Sequence, residues 1–251
     1  MKIDLKNLTF TIPVRIDSED RAFNLNYIIE YLLHNFDTNI IVYENGPRPV
    51  FKNKYNITHV YEQNDGVFHR TRYLNNMAKQ ATTDFIANYD CDVIFPVKQV
   101  VKAYNLLINN SLDCVYPYSG YFVNIKRDVL NEIVGLDPVN LNPDIYQNFG
   151  KNSFGGAVFW YKKAFIEGGM ENENCISWGC EDWERLKRFE TLGYKIARVN
   201  GPLYHIDHVR SQDSSEANPF YNNNRKEFDK ILNSKKEDLL KYVKTWSWVK
   251  S

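Results

Sequence analysis

Two carboxylates two residues apart, Asp90 and Asp92, follow the run Phe85-Ile86-Ala87-Asn88-Tyr89, which reads as a buried strand. Like charges so placed are costly to bury unless a cation or hydrogen-bond donors compensate. A divalent metal bridging a carboxylate and a diphosphate would compensate them, and hard oxygen ligands suit manganese or magnesium. Taken alone, the pair reads equally well as a solvated turn after a strand. A second acidic pair, Glu181-Asp182, follows Trp178-Gly179-Cys180 and opens a helix. It is either an acidic first turn favoured by the helix dipole, or a general base beside an indole that can pack on a sugar ring. His205 and His208 stand three residues apart, so either or both can reach a metal. Singly, such histidines are surface or capping residues. Two basic groups complete the set. Arg15 follows Pro13-Val14 at the end of the first strand, and Arg70 and Arg72 open a helix, where backbone N–H groups and guanidinium forks suit a phosphate or a base edge. Arg72 is read as one half of a surface salt bridge.

These residues need elements to hold them. Leu8 to Val14 reads as a buried strand, and Asp17-Ser18 caps a helix running to about His34 through Ala22, Leu25, Ile28, Ile29, Leu32 and Leu33. Asn39 to Tyr43 is a second strand, closed by the turn Glu44-Asn45-Gly46-Pro47, and Ile57 to Tyr61 a third. A helix from near Arg70 to near Gln80 leads to the fourth, Asp84 to Tyr89. Strands separated by helices predict an α/β fold, with a mostly parallel sheet and helices on both faces. Further on come two short strands between Val115 and Val123, a loop over 136–153, and a turn at Phe154-Gly155-Gly156. A helix from about Lys162, the helix opening at Glu181, and a strand from Lys195 to Val199 follow. The tail from about Asn222 to Val249 carries Phe228, Ile231, Leu239, Leu240 and Val243 on a helical stripe. The expected organisation is one domain over residues 1–215 with a helical appendage over 216–251.

Composition narrows the class. The 251 residues hold 31 basic and 31 acidic side chains, so the chain has no polyelectrolyte character and nucleic acid is not an expected partner. With 43% hydrophobic and 25% charged residues, it is an ordinary globular chain. No apolar run approaches the roughly 20 residues of a membrane span, and the N-terminus does not read as a secretory signal. A cytoplasmic protein is expected, compatible with peripheral membrane contact. The four cysteines form no Cys-x-x-Cys pair and are read as free thiols.

In order and spacing, these motifs resemble the nucleotide-diphospho-sugar transferases of the GT-A fold. Within that fold they are most similar to the β-1,4-galactosyltransferase type and the related chondroitin-polymerase and polypeptide N-acetylgalactosaminyltransferase domains. Pro13-Val14-Arg15 is similar to the family's nucleotide-binding Pro-x-Arg. Phe68-His69-Arg70-Thr71-Arg72-Tyr73-Leu74-Asn75 resembles Phe-Asn-Arg-Ala-Lys-Leu-Leu-Asn, and Asp90-Cys91-Asp92 resembles the metal-binding Asp-Val-Asp. Phe154-Gly155-Gly156 matches a Phe-Gly-Gly turn, and Trp178 to Asp182 resembles Trp-Gly-Gly-Glu-Asp. His205 to His208 stands where the family has Met-x-x-His. The match runs from residue 8 to about 212, with three departures: His69 for Asn, Cys180 for the second Gly, and His205 for Met.

The resemblance implies an inverting transfer of a hexose or N-acetylhexosamine from a UDP-sugar to a glycan or glycolipid hydroxyl, with a bacterial surface polysaccharide as the expected destination. By it, manganese (or magnesium) is held by Asp92, His208 and His205. Pro13, Arg15, Glu44, Arg70, Asp90, Gly155 and Gly156 face the donor, Trp178 and Glu181 the acceptor, and Asp182 is the general base. Two rival readings are a non-catalytic sugar-binding module and a nucleotidyltransferase. The second would want a Gly-rich phosphate loop after the first strand, and residues 14–20 contain no glycine.

Overall fold

Strand β1 (Ile3–Val14) is the axis of the molecule. Leu8, Phe10, Ile12 and Val14 are buried on one face and Thr9 and Thr11 on the other, as expected of a strand covered on both sides. The structure, a computed structural model, describes residues 1–110, 112–209 and 215–250. Helix α1 (Glu19–Asn35) starts at the expected cap: the Ser18 hydroxyl accepts from the Arg21 N–H at 3.2 Å. β2 (Phe36–Gly46) and β3 (Thr58–Gln63) follow, then α2 (Arg70–Gln80) and β4 (Phe85–Tyr89). β1 lies between β2 and β4, parallel to both, with β3 outside β2. The carboxyl ends of β1 and β4 therefore open on one edge, where ligands of open α/β sheets bind.

The second half departs from expectation in informative ways. After the two-residue β5 (Val93–Ile94) comes α3 (Val97–Asn110), a helix missing from the sequence reading because no Ser, Thr, Asp or Asn directly precedes it. The Val97 N–H is capped instead from afar, by Asp137 Oδ1 at 3.0 Å. β6 (Cys114–Tyr116) and β7 (Tyr121–Ile125) are the expected short pair. The 136–153 stretch is a chain of 3₁₀ turns ending in a strand, β8 (Gln147–Gly150). Ala157 to Tyr161, unassigned between the Phe-Gly-Gly turn and the next helix, is β9 (Ala157–Tyr161), inserted antiparallel between β4 and β6. α4 (Lys162–Glu167), α5 (Glu181–Leu192) and β10 (Ile196–Arg198) complete a seven-stranded sheet in the order β10-β6-β9-β4-β1-β2-β3, mixed and mostly parallel.

A second sheet was not anticipated. β11 (Pro202–Ile206) pairs antiparallel with β5 and parallel with β7, and β8 closes the order β5-β11-β7-β8. His205 thus sits inside a strand rather than in the segment after one.

α6 (Tyr221–Leu232) and α7 (Lys236–Val243) form the tail and pack on α5, burying Ile231, Leu239, Val243 and Trp246 against Leu192. Leu240, expected on that apolar stripe, is exposed. Beneath them Arg188 is wholly buried. Its Nε lies 2.7 Å from Glu184 Oε1, its Nη2 donates to the Met170 carbonyl at 2.8 Å, and the indole of Trp246 lies 5.1 Å from its guanidinium. Removing one half of such a pair strands the other charge, whereas removing both does not. Arg188→Met is therefore expected to cost about 3–5 kcal/mol in urea unfolding. The double variant Arg188→Met/Glu184→Leu should recover most of that loss. A single variant as stable as the wild type would contradict the assignment.

Candidate active site

The chain leaves β4 at Tyr89, and the Asp90 N–H donates to the Gly156 carbonyl at 2.8 Å. Asp90 Oδ1 receives Arg70 Nη2 at 2.6 Å and Nε at 3.2 Å from the first turn of α2. Burial pushes the Asp90 carboxyl up, while Arg70 favours its charge. Two residues on, Asp92 turns the opposite way. Its carbonyl accepts from the Ile206 N–H at 2.8 Å, and Val93 is the register partner of His205. Strand pairing therefore delivers Asp92 Oδ2 to 3.1 Å from His208 Nε2 and 3.8 Å from His205 Nε2.

One ligand atom from each of Asp92, His205 and His208 falls in a cluster whose members all lie within 4.8 Å of one another. The outer ring nitrogens are occupied: His205 Nδ1 lies 2.7 Å from Asn124 Oδ1, and His208 Nδ1 lies 2.9 Å from the Val209 carbonyl. Both rings therefore turn Nε2 toward the carboxylate. One carboxylate and two imidazoles, oriented by second hydrogen bonds, fit a divalent cation such as manganese. Burial opposes charge on Asp92, but His205, His208 and Arg21 together hold its carboxyl well below the usual range. The hydrogen bond to Asp92 raises the His208 imidazole.

Across the cleft, the chain turns tightly into α5. Gly179 has φ +115°, and a Cβ there would stand 2.7 Å from the Tyr221 ring. Cys180 follows in the left-handed region at φ +68°, which explains why glycine suits this position in the resembled motif and why cysteine is strained there. Glu181 Oε2 accepts from the Gly179 N–H at 2.8 Å. Burial, together with the charge of Asp182, pushes its carboxyl up to about 7.

Asp182 Oδ1 accepts from Arg185 Nη2 at 2.8 Å. Arg185 is itself buried. Its Nη1 pairs with Glu171 Oε1 at 3.2 Å, its Nη2 donates to the Phe154 carbonyl at 3.0 Å, and Glu171 accepts from Asn88 Nδ2 of β4 at 2.8 Å. A chain of buried polar groups thus runs from the central sheet to Asp182. Its Oδ2 lies against Gly155, where a Cβ would come within 2.7 Å. Any side chain at 155 would displace the carboxylate.

These walls enclose a cleft of about 340 Å³ lined by Pro13, Arg15, Arg70, Asp90, Asp92, Gly155, Gly156, Trp178, Glu181, Asp182, His205 and His208. Glu44 is not among them. Because β2 continues through Gly46 instead of turning at Glu44, the Glu44 side chain points under the next loop. There it accepts from the Val50 and Phe51 N–H groups at 2.6 and 3.1 Å and meets His59 Nε2 at 2.9 Å. Its assignment to the donor site is corrected to that of a loop anchor.

The Arg15 guanidinium reaches the cleft while donating to the Gly66 carbonyl at 2.7 Å and to Asn45 Oδ1. Arg72 pairs with Glu62, as expected of a structural arginine. Arg210, which closes the histidine segment, lies outside the described residues. The cleft also holds residues without an expected role in the site, among them Arg21, Phe68, Phe122 and Ser177. Arg21 carried a signal, since it stands in the first turn of a helix that opens directly after β1. Phe122 carried none, because only sheet pairing brings β7 beside β11. Among the described residues, no helix is long and apolar enough to cross a membrane.

A protein-family model described as the N-terminal domain of galactosyltransferase matches residues 139–211. That segment contains the Phe-Gly-Gly turn, the Trp178–Asp182 motif, His205 and His208. No curated protein matches the chain by sequence. Among solved structures, GalNAc-T7 with UDP, GalNAc and Mn²⁺ aligns with a TM-score of 0.52 at 11% identity, over 84% of this chain and 46% of that one. A mutant of Drosophila β1,4-galactosyltransferase 7 with manganese, UDP-Gal and xylobiose gives 0.49 at 15% identity, over 76% of this chain and 63% of that one. Glucosyl-3-phosphoglycerate synthase from Mycobacterium tuberculosis with Mg²⁺ and UDP gives 0.49 at 14% identity, over 83% and 74%. The chain spans less than two thirds of the Drosophila and GalNAc-T7 structures. Identities this low speak to architecture, and the architecture of this chain is the GT-A fold.

Proposed function

We propose that this chain is a divalent-metal-dependent glycosyltransferase that moves a hexose or N-acetylhexosamine from a UDP-sugar to a hydroxyl of a glycan or glycolipid, with inversion, in the making of a surface polysaccharide. The observation that carries the reading is the two-walled cleft. An Asp-His-His cluster stands on one side, a held carboxylate beside an exposed indole on the other, and the Arg70–Asp90 pair stands between them. The family match over 139–211 and the GT-A architecture support it.

A divalent cation held by Asp92, His205 and His208 would neutralise charge developing on a leaving diphosphate. The chain's own residues do the rest. Pro13 and Arg15 border the nucleotide end of the cleft, and Arg70 stands beside the diphosphate. Asp90, paired with Arg70, faces the donor's hydroxyls. Asp182, with Oδ1 held by Arg185, receives on its second oxygen the proton of the acceptor hydroxyl. The acceptor oxygen bonds to the anomeric carbon, the bond to the diphosphate breaks, and its electron pair leaves with UDP. Glu181 and Asp182 are successive helical residues, about 100° apart around the axis, so only one of them faces the reacting carbon. Trp178 offers its ring face to the acceptor sugar and is steadied by Tyr221, stacked at 6.0 Å.

Three outcomes test this reading. Protection against heat across a panel of UDP-sugars with manganese should identify the donor, since a ligand at about 100 times its Kd adds roughly 2.7 kcal/mol. Asp92→Ala should abolish the manganese-dependent part, and full turnover after EDTA treatment would refute the metal assignment. Asp182→Asn should keep UDP affinity while turnover falls about 10²–10⁴-fold; transfer at the wild-type rate, or a product that retains the donor's configuration, would refute the base.

A further outcome concerns Glu181, whose carboxyl is raised above its ordinary value. Its protonated form is the one the fold favours, so its contribution is full below the ordinary carboxyl range and is lost as pH rises through about 7. Glu181→Gln should therefore match the wild type in melting temperature at acid pH and exceed it in mildly alkaline buffer. Parallel melting curves across that range would show that Glu181 is not held protonated.

A further inference from the structure

We infer that Asn124 is a positioning residue of the metal cluster, fixing His205 in the tautomer whose Nε2 lone pair faces Asp92. The inference deepens the metal site proposed above and rests on it. β7 and β11 run parallel with Asn124 as the register partner of His205, so the two side chains stand side by side on one face of the second sheet. Both are almost wholly buried, at 8% and 5% exposure. Asn124 Oδ1 lies 2.7 Å from His205 Nδ1.

An amide oxygen only accepts, so the proton of a neutral imidazole at this contact is on Nδ1 and Nε2 carries the lone pair. Phe122 lies 5.5 Å from the His205 ring at 34°, and Phe149 lies 6.4 Å away on the neighbouring β8. In the opposite tautomer Nε2 would carry hydrogen toward Asp92 Oδ2, 3.8 Å away, and the cluster would lose a nitrogen ligand. The amide of Asn124 decides between the two from behind His205, without itself being a ligand of the cluster. Partners that orient a ligating histidine are typically worth about 10–100-fold in metal affinity.

The test uses the full chain stripped with EDTA and without nucleotide, with manganese affinity read from the electron paramagnetic resonance of the unbound ion. Asn124→Leu, similar in volume but unable to accept, should weaken manganese binding about 10–100-fold. Asn124→Asp restores the acceptor and should bind manganese at least as tightly as the wild type. Long-range ¹⁵N–¹H correlation on the stripped wild type, at a pH well above the ordinary imidazole range, should show His205 protonated on Nδ1. Wild-type affinity in Asn124→Leu, or a His205 protonated on Nε2 in the wild type, would overturn the inference. A wild-type protein that takes up no manganese would instead refute the proposed metal site, and the nitrogen spectrum would still decide the role of Asn124 even if the leucine variant failed to fold.

Discussion

The antiparallel contact between β5 and β11 is the constraint on which the site depends. It is only two residues long, Ile94 against Tyr204 and Val93 against His205, extended by the Ile206 N–H donating to the Asp92 carbonyl. Yet it joins the end of the central sheet to a second sheet and brings together a carboxylate and two imidazoles more than a hundred positions apart in the chain. Asp92 gains its two histidine neighbours only through this pairing. Without it the carboxylate would be a buried charge after a strand, which a folded chain tolerates poorly.

Charge in the cleft is arranged in compensated pairs with one deliberate imbalance. Arg70 answers Asp90, Arg21 and the two histidines answer Asp92, and Arg185 answers both Glu171 and Asp182. Among the described residues, Glu181 has no such ion-pair partner of its own. A backbone N–H and the more distant Arg70 are what it finds, and its carboxyl rises accordingly. Sites that must hold a substrate commonly keep groups that the isolated fold would rather not bury. The two adjacent carboxylates of α5 therefore face different tasks from the outset. Asp182 is held by a buried arginine, and the carboxyl of Glu181 is raised by burial.

The tail is bound up with the site rather than appended beside it. Asn224 of α6 accepts from the Ile176 N–H at 3.0 Å and donates to the Ile176 and Trp178 carbonyls at 2.8 and 3.2 Å, while Tyr221 stacks on Trp178. The loop that carries Trp178 and the left-handed pair Gly179-Cys180 is thereby held from outside the main sheet. Cys180 pays for that shape with a backbone conformation its side chain disfavours. The loop keeps it because α6 and the first turn of α5 determine its course.

What the residue order determined by itself was local. The Ser18 cap, the α2 span from Arg70 to Gln80, the start of α5 at Glu181 and the acidic pair after β4 all follow from short-range periodicity, capping and strand ends. Arg72 likewise read as a structural arginine and is one. Tertiary structure alone decided the rest, because it depends on which strands pair. Ala157 to Tyr161 stands unassigned by sequence beside the Phe-Gly-Gly turn, and its place in the sheet as β9 comes from its antiparallel pairing with β4 and β6. Glu44 looks like a donor-site residue if β2 ends at Tyr43, but three more ladder pairs, Glu44 with Tyr61, Asn45 with Glu62 and Gly46 with Gln63, carry the strand on and leave its carboxylate under the 50–51 loop. Asn124 carries no motif, and nothing near it in the chain marks it. It acquires a role because β11 returns alongside β7 from some eighty positions away, and a hydrogen bond between side chains so far apart in the chain exists only once the sheet has formed.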